Sequence, residues 1–397
     1  MPAFTRFKPK SQQPVIAGGG QRNAACYHGG AFFKAIGEDF ADLSRRHQII
    51  NADVLDAWFP PAPSVVSALE HDLPWLLRTS PPTHCDGLID TVARVRGVPA
   101  ASVLAGSGSS DLIFRAFREW LTPESRVLVL DPSYGEYTHV CERVIGCHVS
   151  RIALERQSGY RVDLDDLGDR LREAFDLVVI VNPNNPTGQH IPRADLEAVL
   201  AAAPEHTRYW VDEAYLEYVQ GAESMERFAA TSPNVVVCKS LSKVYALSGA
   251  RAAYLVADPR TVDELRPLTP PWVVSLPAQL AAVRALEAPA YYADCYRRTT
   301  LLRAALEGEL LALEPRVQVF GVGNFVLCHF PACQPEADEL ERRCRAHGVF
   351  IRDISRAVPR LGRHVVRFAV KDDETQARMI RVVRHAVVKP LPDLLAG

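Results

Sequence analysis

Along the chain, the spacing of apolar residues changes character twice. Up to about Pro63 there is no steady period. Glycines at 18–20 and 29–30, and the run Phe59-Pro60-Pro61-Ala62-Pro63, mark an irregular arm, residues 1–60, lying on a body. From about Gly87 helical spacing alternates with short apolar runs. Helices are predicted over 88–95, over 111–121 with Leu112, Ile113, Phe114, Phe117 and Trp120 on the apolar side, and over 192–203. The runs at 127–130, 177–181, 209–211, 235–237 and 252–256 are short, β-branched and apolar on both faces. That is the signature of strands in a parallel sheet covered by helices on both sides, and the alternation is the βαβ rhythm of an open α/β sheet. After about Pro289 the rhythm changes again. A long helix over 292–313, strands near 317–320, 325–330, 349–352 and 365–370, and helices over 335–347 and 373–387 predict a compact α+β unit. The expected organisation is therefore an arm (1–60), a large α/β domain (61–288) and a small C-terminal α+β domain (289–397).

Composition removes several function classes. With 48% hydrophobic and 23% charged residues the chain is an ordinary globular one. A net charge of −2 supplies no electrostatic reason to bind nucleic acid or an anionic membrane. No apolar run is long enough to span a bilayer, and the polar start lacks the apolar core of a secretion signal. The nine cysteines are odd in number and contain no C-x-x-C pair, which points to reduced thiols, a cytoplasmic location and no metal site.

The chemistry begins with a scarcity. Lysine occurs only at 8, 10, 34, 239, 243, 371 and 389, and the candidates near strand ends of the α/β sheet are Lys239 and Lys243. Ligands of open parallel sheets sit beyond the carboxyl ends of the strands. Three polar clusters follow three such strands: Asn-Pro-Asn-Asn-Pro-Thr-Gly at 182–188, Asp-Glu-Ala-Tyr at 212–215 and Ser-Leu-Ser-Lys at 240–243. They are about 30 residues apart, roughly one βαβ unit, so they can face one crevice. A fourth cluster, Gly-Ser-Gly-Ser-Ser-Asp at 106–111, opens a helix whose first amides and dipole suit an anion.

Taken together, NPNNPTG (182–188), VDEAY (211–215) and SLSKVYALSGAR (240–251) resemble the class I/II aminotransferases of pyridoxal-phosphate fold type I. Within that family the chain is most similar to the histidinol-phosphate aminotransferase branch, which includes threonine-phosphate decarboxylase-like enzymes. The resemblance runs from about Leu55 to the C-terminus. It implies a mainly parallel large domain with a small α+β C-terminal domain, a homodimer with shared active sites, pyridoxal 5'-phosphate as cofactor, and transamination of an α-amino acid or related amine. It implies that Lys243 holds the cofactor as a Schiff base and moves the substrate's α-proton. Asp212 would pair with the ring nitrogen, Asn185 and Tyr215 with the phenolate oxygen, and Tyr134 would stack on the ring. Ser109, Ser110, Ser240, Ser242 and Arg251 would hold the phosphate. Arg367, in Val-Val-Arg-Phe-Ala-Val at 365–370, would clamp the α-carboxylate, and Arg352 would bind a second anion.

The chain also departs from the branch. Where the branch carries Asn-Glu-Asn-Pro, this sequence reads Leu55-Asp-Ala-Trp-Phe-Pro-Pro61, which puts Trp58 on the expected substrate side. Where a Tyr-Pro pair sends a tyrosine to the partner's cofactor phosphate, it reads Thr79-Ser-Pro-Pro82. Both departures weigh against histidinol phosphate as substrate. The arm segment 27–33 falls where family arms cover the site, and this makes Tyr27 and His28 candidates for substrate contact. With these changes a lyase, decarboxylase or cyclase on the same cofactor platform is the alternative to transamination.

Overall fold

The computed structural model describes residues 29–388. Tyr27 and His28 lie outside them. Strand β1 (Ile50–Asn51) is followed by a helix, Pro63–Arg78, and the chain then enters its main sheet. The sheet comprises β2 (Val103–Gly106), β3 (Arg126–Asp131), β4 (His148–Ala153), β5 (Leu177–Val181), β6 (Arg208–Asp212), β7 (Val235–Ser240) and β8 (Ala253–Val256). These seven strands lie in the order β2-β8-β7-β6-β5-β3-β4. The run from β7 to β4 is parallel, while β8 is antiparallel to both β7 and β2.

Alternation along each strand shows why the apolar runs are continuous. In β5, Leu177, Val179 and Val181 join the core on one face of the sheet, with Trp210 and Val236. Val178 and Ile180 join the core on the other face, with Tyr209, Val211 and Val237. Every residue of β5 is buried because both faces are covered. The edge strand β4 has one sheet neighbour and keeps several residues exposed, so it leaves no apolar run.

The C-terminal part begins with the 25-residue helix Pro289–Leu313. Beyond it come β9 (Gln318–Phe320), β10 (Phe325–His329), β11 (Val349–Phe350), β12 (Arg352–Asp353) and β13 (Val365–Ala369). An antiparallel sheet forms in the order β12-β13-β10-β9. The strand expected over 349–352 is two short pieces broken at Ile351. β12 joins this sheet, and β11 pairs in parallel with β1 far upstream, Ile50 opposite Val349. This pairing stitches the segment before the large sheet to the C-terminal part. Among the described residues no helix is long and apolar enough to cross a membrane.

Candidate active site

A cavity of about 940 Å³ opens at the carboxyl ends of β5, β6 and β7 and is closed on its far side by β12, β13 and the helix Ala337–Ala346. The loop after β5 is pinned to itself: Asn182 Nδ2 donates to Ile191 O, and Ile191 N donates to Asn182 Oδ1. Asn184 accepts from Ser133 Oγ at 3.0 Å and donates to Pro132 O at 2.8 Å, tying this loop to the one that carries Tyr134. Gly188 is needed here. Its φ is +70°, and a Cβ would meet Val322 N at 2.6 Å, so only glycine lets the C-terminal part approach this loop.

Ser109, Ser110, Ser240, Ser242 and Arg251 all line one end of the cavity. Ser109 begins the 12-residue helix Ser109–Trp120, whose N-terminus has no side-chain cap, leaving first-turn amides directed at an anion. Gly108 has φ +83°, and a Cβ there would come within 2.2 Å of Arg251 Nη2. The guanidinium therefore lies directly against the start of the helix. Arg251 Nη1 also donates to Ser248 O at 3.3 Å.

At the centre, Asp212 is buried. Its Oδ2 accepts from Tyr137 Oη at 2.7 Å and its Oδ1 from Ala214 N at 2.9 Å. Trp210 Nε1 donates in turn to Tyr137 Oη at 2.9 Å. Burial pushes the Asp212 carboxyl up, against the pull of the Tyr137 hydrogen bond. Tyr134 stands edge-on to Tyr137 and donates to Glu136 Oε2 at 2.7 Å. Tyr215, whose phenol is pushed up by burial, packs edge-on against Phe325. Asn185 Oδ1 accepts from Arg367 Nη1 at 2.6 Å.

The two candidate lysines have different surroundings. Lys239 is buried between Glu213 and Glu217, its Nζ 3.3 and 2.8 Å from their carboxylates. Burial alone would pull this ammonium down, and the carboxylates, Glu217 foremost, more than offset it. Lys243 lines the cavity, with Nζ 2.9 Å from Asp56 Oδ1 and 3.3 Å from Ser248 Oγ.

On the substrate side, Arg352 and Arg367 are direct cross-strand neighbours on β12 and β13, so their side chains share a face. Asp53 bridges them: its Oδ1 is 2.9 Å from Arg352 Nε, and its carbonyl accepts from Arg367 Nη2 at 2.8 Å. The positive charge expected at Arg352 is thus already met by a carboxylate of the same chain. Arg367 Nε has no partner among the described residues, and burial pulls its guanidinium down to about 10. Trp58 is not brought to the cavity, contrary to expectation. Its indole donates to Thr299 Oγ1 at 2.8 Å and packs under Arg298 on the long C-terminal helix, and these contacts hold it away from the cavity. Of the arm segment, Ala31 lines the cavity and Gly29 lies against Asp53. Sequence reasoning passed over Asp53, Asp56, Tyr137 and Glu136. Asp56 sits in the stretch that departs from the branch, and Asp53 two residues before it, where the large aromatics were the more conspicuous signal.

These residues fit a phosphorylated pyridine aldehyde. An uncapped helix start with an arginine against it suits the phosphate, a buried carboxylate suits a protonated ring nitrogen, and the Lys243 amine lines the same cavity. Residues 55–383 match the model of the aminotransferase class I and II family, and the chain belongs to that family. Its cofactor is pyridoxal 5'-phosphate, and it is an aminotransferase. A histidinol-phosphate aminotransferase of Nitrosococcus oceani is 32% identical over 295 residues, covering 72% of this chain and 75% of that protein. The fold is shared with the Sinorhizobium meliloti histidinol-phosphate aminotransferase in complex with pyridoxal-5'-phosphate (TM-score 0.75, 22% identity, 86% and 92% of the two chains). It is also shared with the L-threonine-O-3-phosphate decarboxylase of Porphyromonas gingivalis (TM-score 0.73, 21% identity, 84% and 98%).

Proposed function

We propose that this aminotransferase takes an α-amino acid whose carboxylate is bound by Arg367, with Lys243 as the residue that carries the cofactor and moves the α-proton. The observation behind this reading is Arg367 itself: a buried guanidinium in the cavity wall with, among the described residues, no carboxylate at ion-pair distance and one donor unused. Such a group calls for an anion. Bound pyridoxal phosphate supplies an electron sink for the electrons released at the substrate's α-carbon. Ser109, Ser110, Ser240, Ser242 and Arg251 hold its phosphate, Asp212 holds its ring nitrogen protonated, Asn185 and Tyr215 hold its phenolate oxygen, and Tyr134 flanks the ring. Lys243 accepts the proton from the α-carbon and returns it elsewhere.

Arg367→Ala is expected to lower kcat/KM for the preferred amino acid by roughly two to three orders of magnitude, the worth of a buried charge-assisted pair. The matching amine without a carboxylate should be little affected, and equal losses on both would remove the carboxylate assignment. Tyr137→Phe takes one hydrogen bond from a buried carboxylate, and kcat should fall about tenfold with KM nearly unchanged. A kcat equal to that of the wild type would reduce Tyr137 to packing.

The reading extends to a homodimer. Val66, Leu73 and Leu77 form one exposed apolar stripe on the helix Pro63–Arg78, and Trp272 and Leu268 are also exposed, an unusual load of large apolar side chains in water. Sedimentation at micromolar concentration tests it. A cytoplasmic location is supported by the eight described cysteines, all of them free thiols. The reaction is tested with an amino-donor panel and a 2-oxo acid, following products by mass spectrometry. Release of carbon dioxide with no need of the oxo acid would favour the decarboxylase alternative.

A further inference from the structure

The short stretch after β1 brings two carboxylates to the site, Asp53 and Asp56. Asp53 is engaged by the two substrate-side arginines. Asp56 has no part in any role given so far, yet it is the acid in contact with the reactive amine. Its Oδ1 lies 2.9 Å from Lys243 Nζ, and its other oxygen accepts from Asn51 Nδ2 at 3.2 Å. Asn51 belongs to β1, which is anchored by its pairing with β11, so the carboxylate is held from behind. The charged and titratable groups facing it are Lys243 from the turn after β7, Lys371 from the segment after β13, and the Tyr215 phenol from the loop after β6. Burial pushes the Asp56 carboxyl up, but Lys243, Ser248 and Lys371 outweigh burial and keep it below its ordinary value. At neutral pH Asp56 is an anion.

We propose that Asp56 is the counter-ion of the reacting nitrogen, a positioning residue that holds first the Lys243 amine and then the substrate amine that takes its place. This rests on Lys243 being the amine that carries the cofactor. In amine exchange two nitrogens occupy one region in succession, and a fixed carboxylate within hydrogen-bond reach favours the protonated form of either. An amino acid reaches the enzyme as an ammonium carboxylate. Arg367 receives one end and Asp56 the other, so the two side chains set the direction in which the α-carbon is presented.

The test is a pH titration of the holoenzyme's visible absorption, alone and with an unreactive α-methyl amino acid. In Asp56→Asn the midpoint should fall by on the order of one pH unit, because a charge that favoured the protonated nitrogen is gone. Asp56→Glu should bring it back toward the wild-type value. The α-methyl amino acid should bind Asp56→Asn roughly tenfold more weakly. If Asn at this position yields no folded protein, Asp56→Ser carries the same measurement. A band present in Asp56→Asn with an unmoved midpoint overturns the inference and leaves the Lys243 reading intact. A band that persists in Lys243→Ala overturns that reading, and the inference with it.

Discussion

Lys243→Ala should lose transaminase activity by at least about 1,000-fold, since on the proposed assignment it removes both the amine that carries the cofactor and the group that moves the α-proton. The visible absorption of the bound cofactor in its resting form should disappear as well. The fold should survive. Lys243 is only partly buried, at 20% side-chain exposure, and its contacts are with Asp56 and Ser248 at the cavity wall. Thermal melting of the apoprotein close to that of the wild type, together with lost activity, is the expected pair of results. Retained turnover of an amino acid and an oxo acid would show that another amine does this work.

Lys239→Met should do the opposite and destabilise the fold. The side chain is 2% exposed and stands between Glu213 and Glu217, at 1% and 13% exposure. Arg96 joins the same network, 3.1 Å from Glu217 and 3.7 Å from Glu226. Removing Lys239 from this buried cluster leaves the Glu213 carboxylate without its cation, at a cost of about 3–5 kcal/mol. That is a large share of a domain's stability. Urea unfolding of the apoprotein measures it, and a loss under about 1 kcal/mol would mean that the carboxylates find water or protons more easily than their burial suggests. Lys239→Met with Glu213→Leu should recover part of the loss, because the unmatched charge goes too.

These two lysines, four residues apart, illustrate what could be read from the chain. Their neighbourhoods at the end of β7 were legible because a strand buried on both faces leaves an unbroken apolar run, and whatever polar cluster follows it must face the crevice. The same reasoning located the ends of β5 and β6, and the expected strand over 177–181 coincides with β5. Composition could not separate Lys239, whose side chain runs inward to Glu213, from Lys243. That difference depends on alternation about the strand end. β2 and β4 escaped notice for different reasons, one being only Val103–Gly106 and the other a part-exposed edge. The helix Pro63–Arg78 was obscured by Pro74 in its interior and by exposed apolar residues that blur its period. Trp58 was misplaced because size and position in the chain say nothing of direction; the Thr299 hydroxyl that holds it is 241 residues away. Asp53 and Asp56 were missed for the same reason. A carboxylate in a loop is an ordinary solvated residue until the fold brings Arg352 or Lys243 to it.

The pairing of β1 with β11 has a consequence for how the enzyme is made. During synthesis the residues of the large sheet leave the ribosome before the C-terminal part and can close around the core that holds Val179, Trp210 and Val236. The wall proposed to receive the substrate cannot form then, because Asp53 and Asp56 follow a strand whose partner, Val349–Phe350, is among the last parts of the chain to emerge. On the proposed assignment, a nascent chain stalled before residue 349 would own the strand ends offered to the cofactor's phosphate but lack the wall offered to the amino acid. Selectivity would appear only as translation is completed.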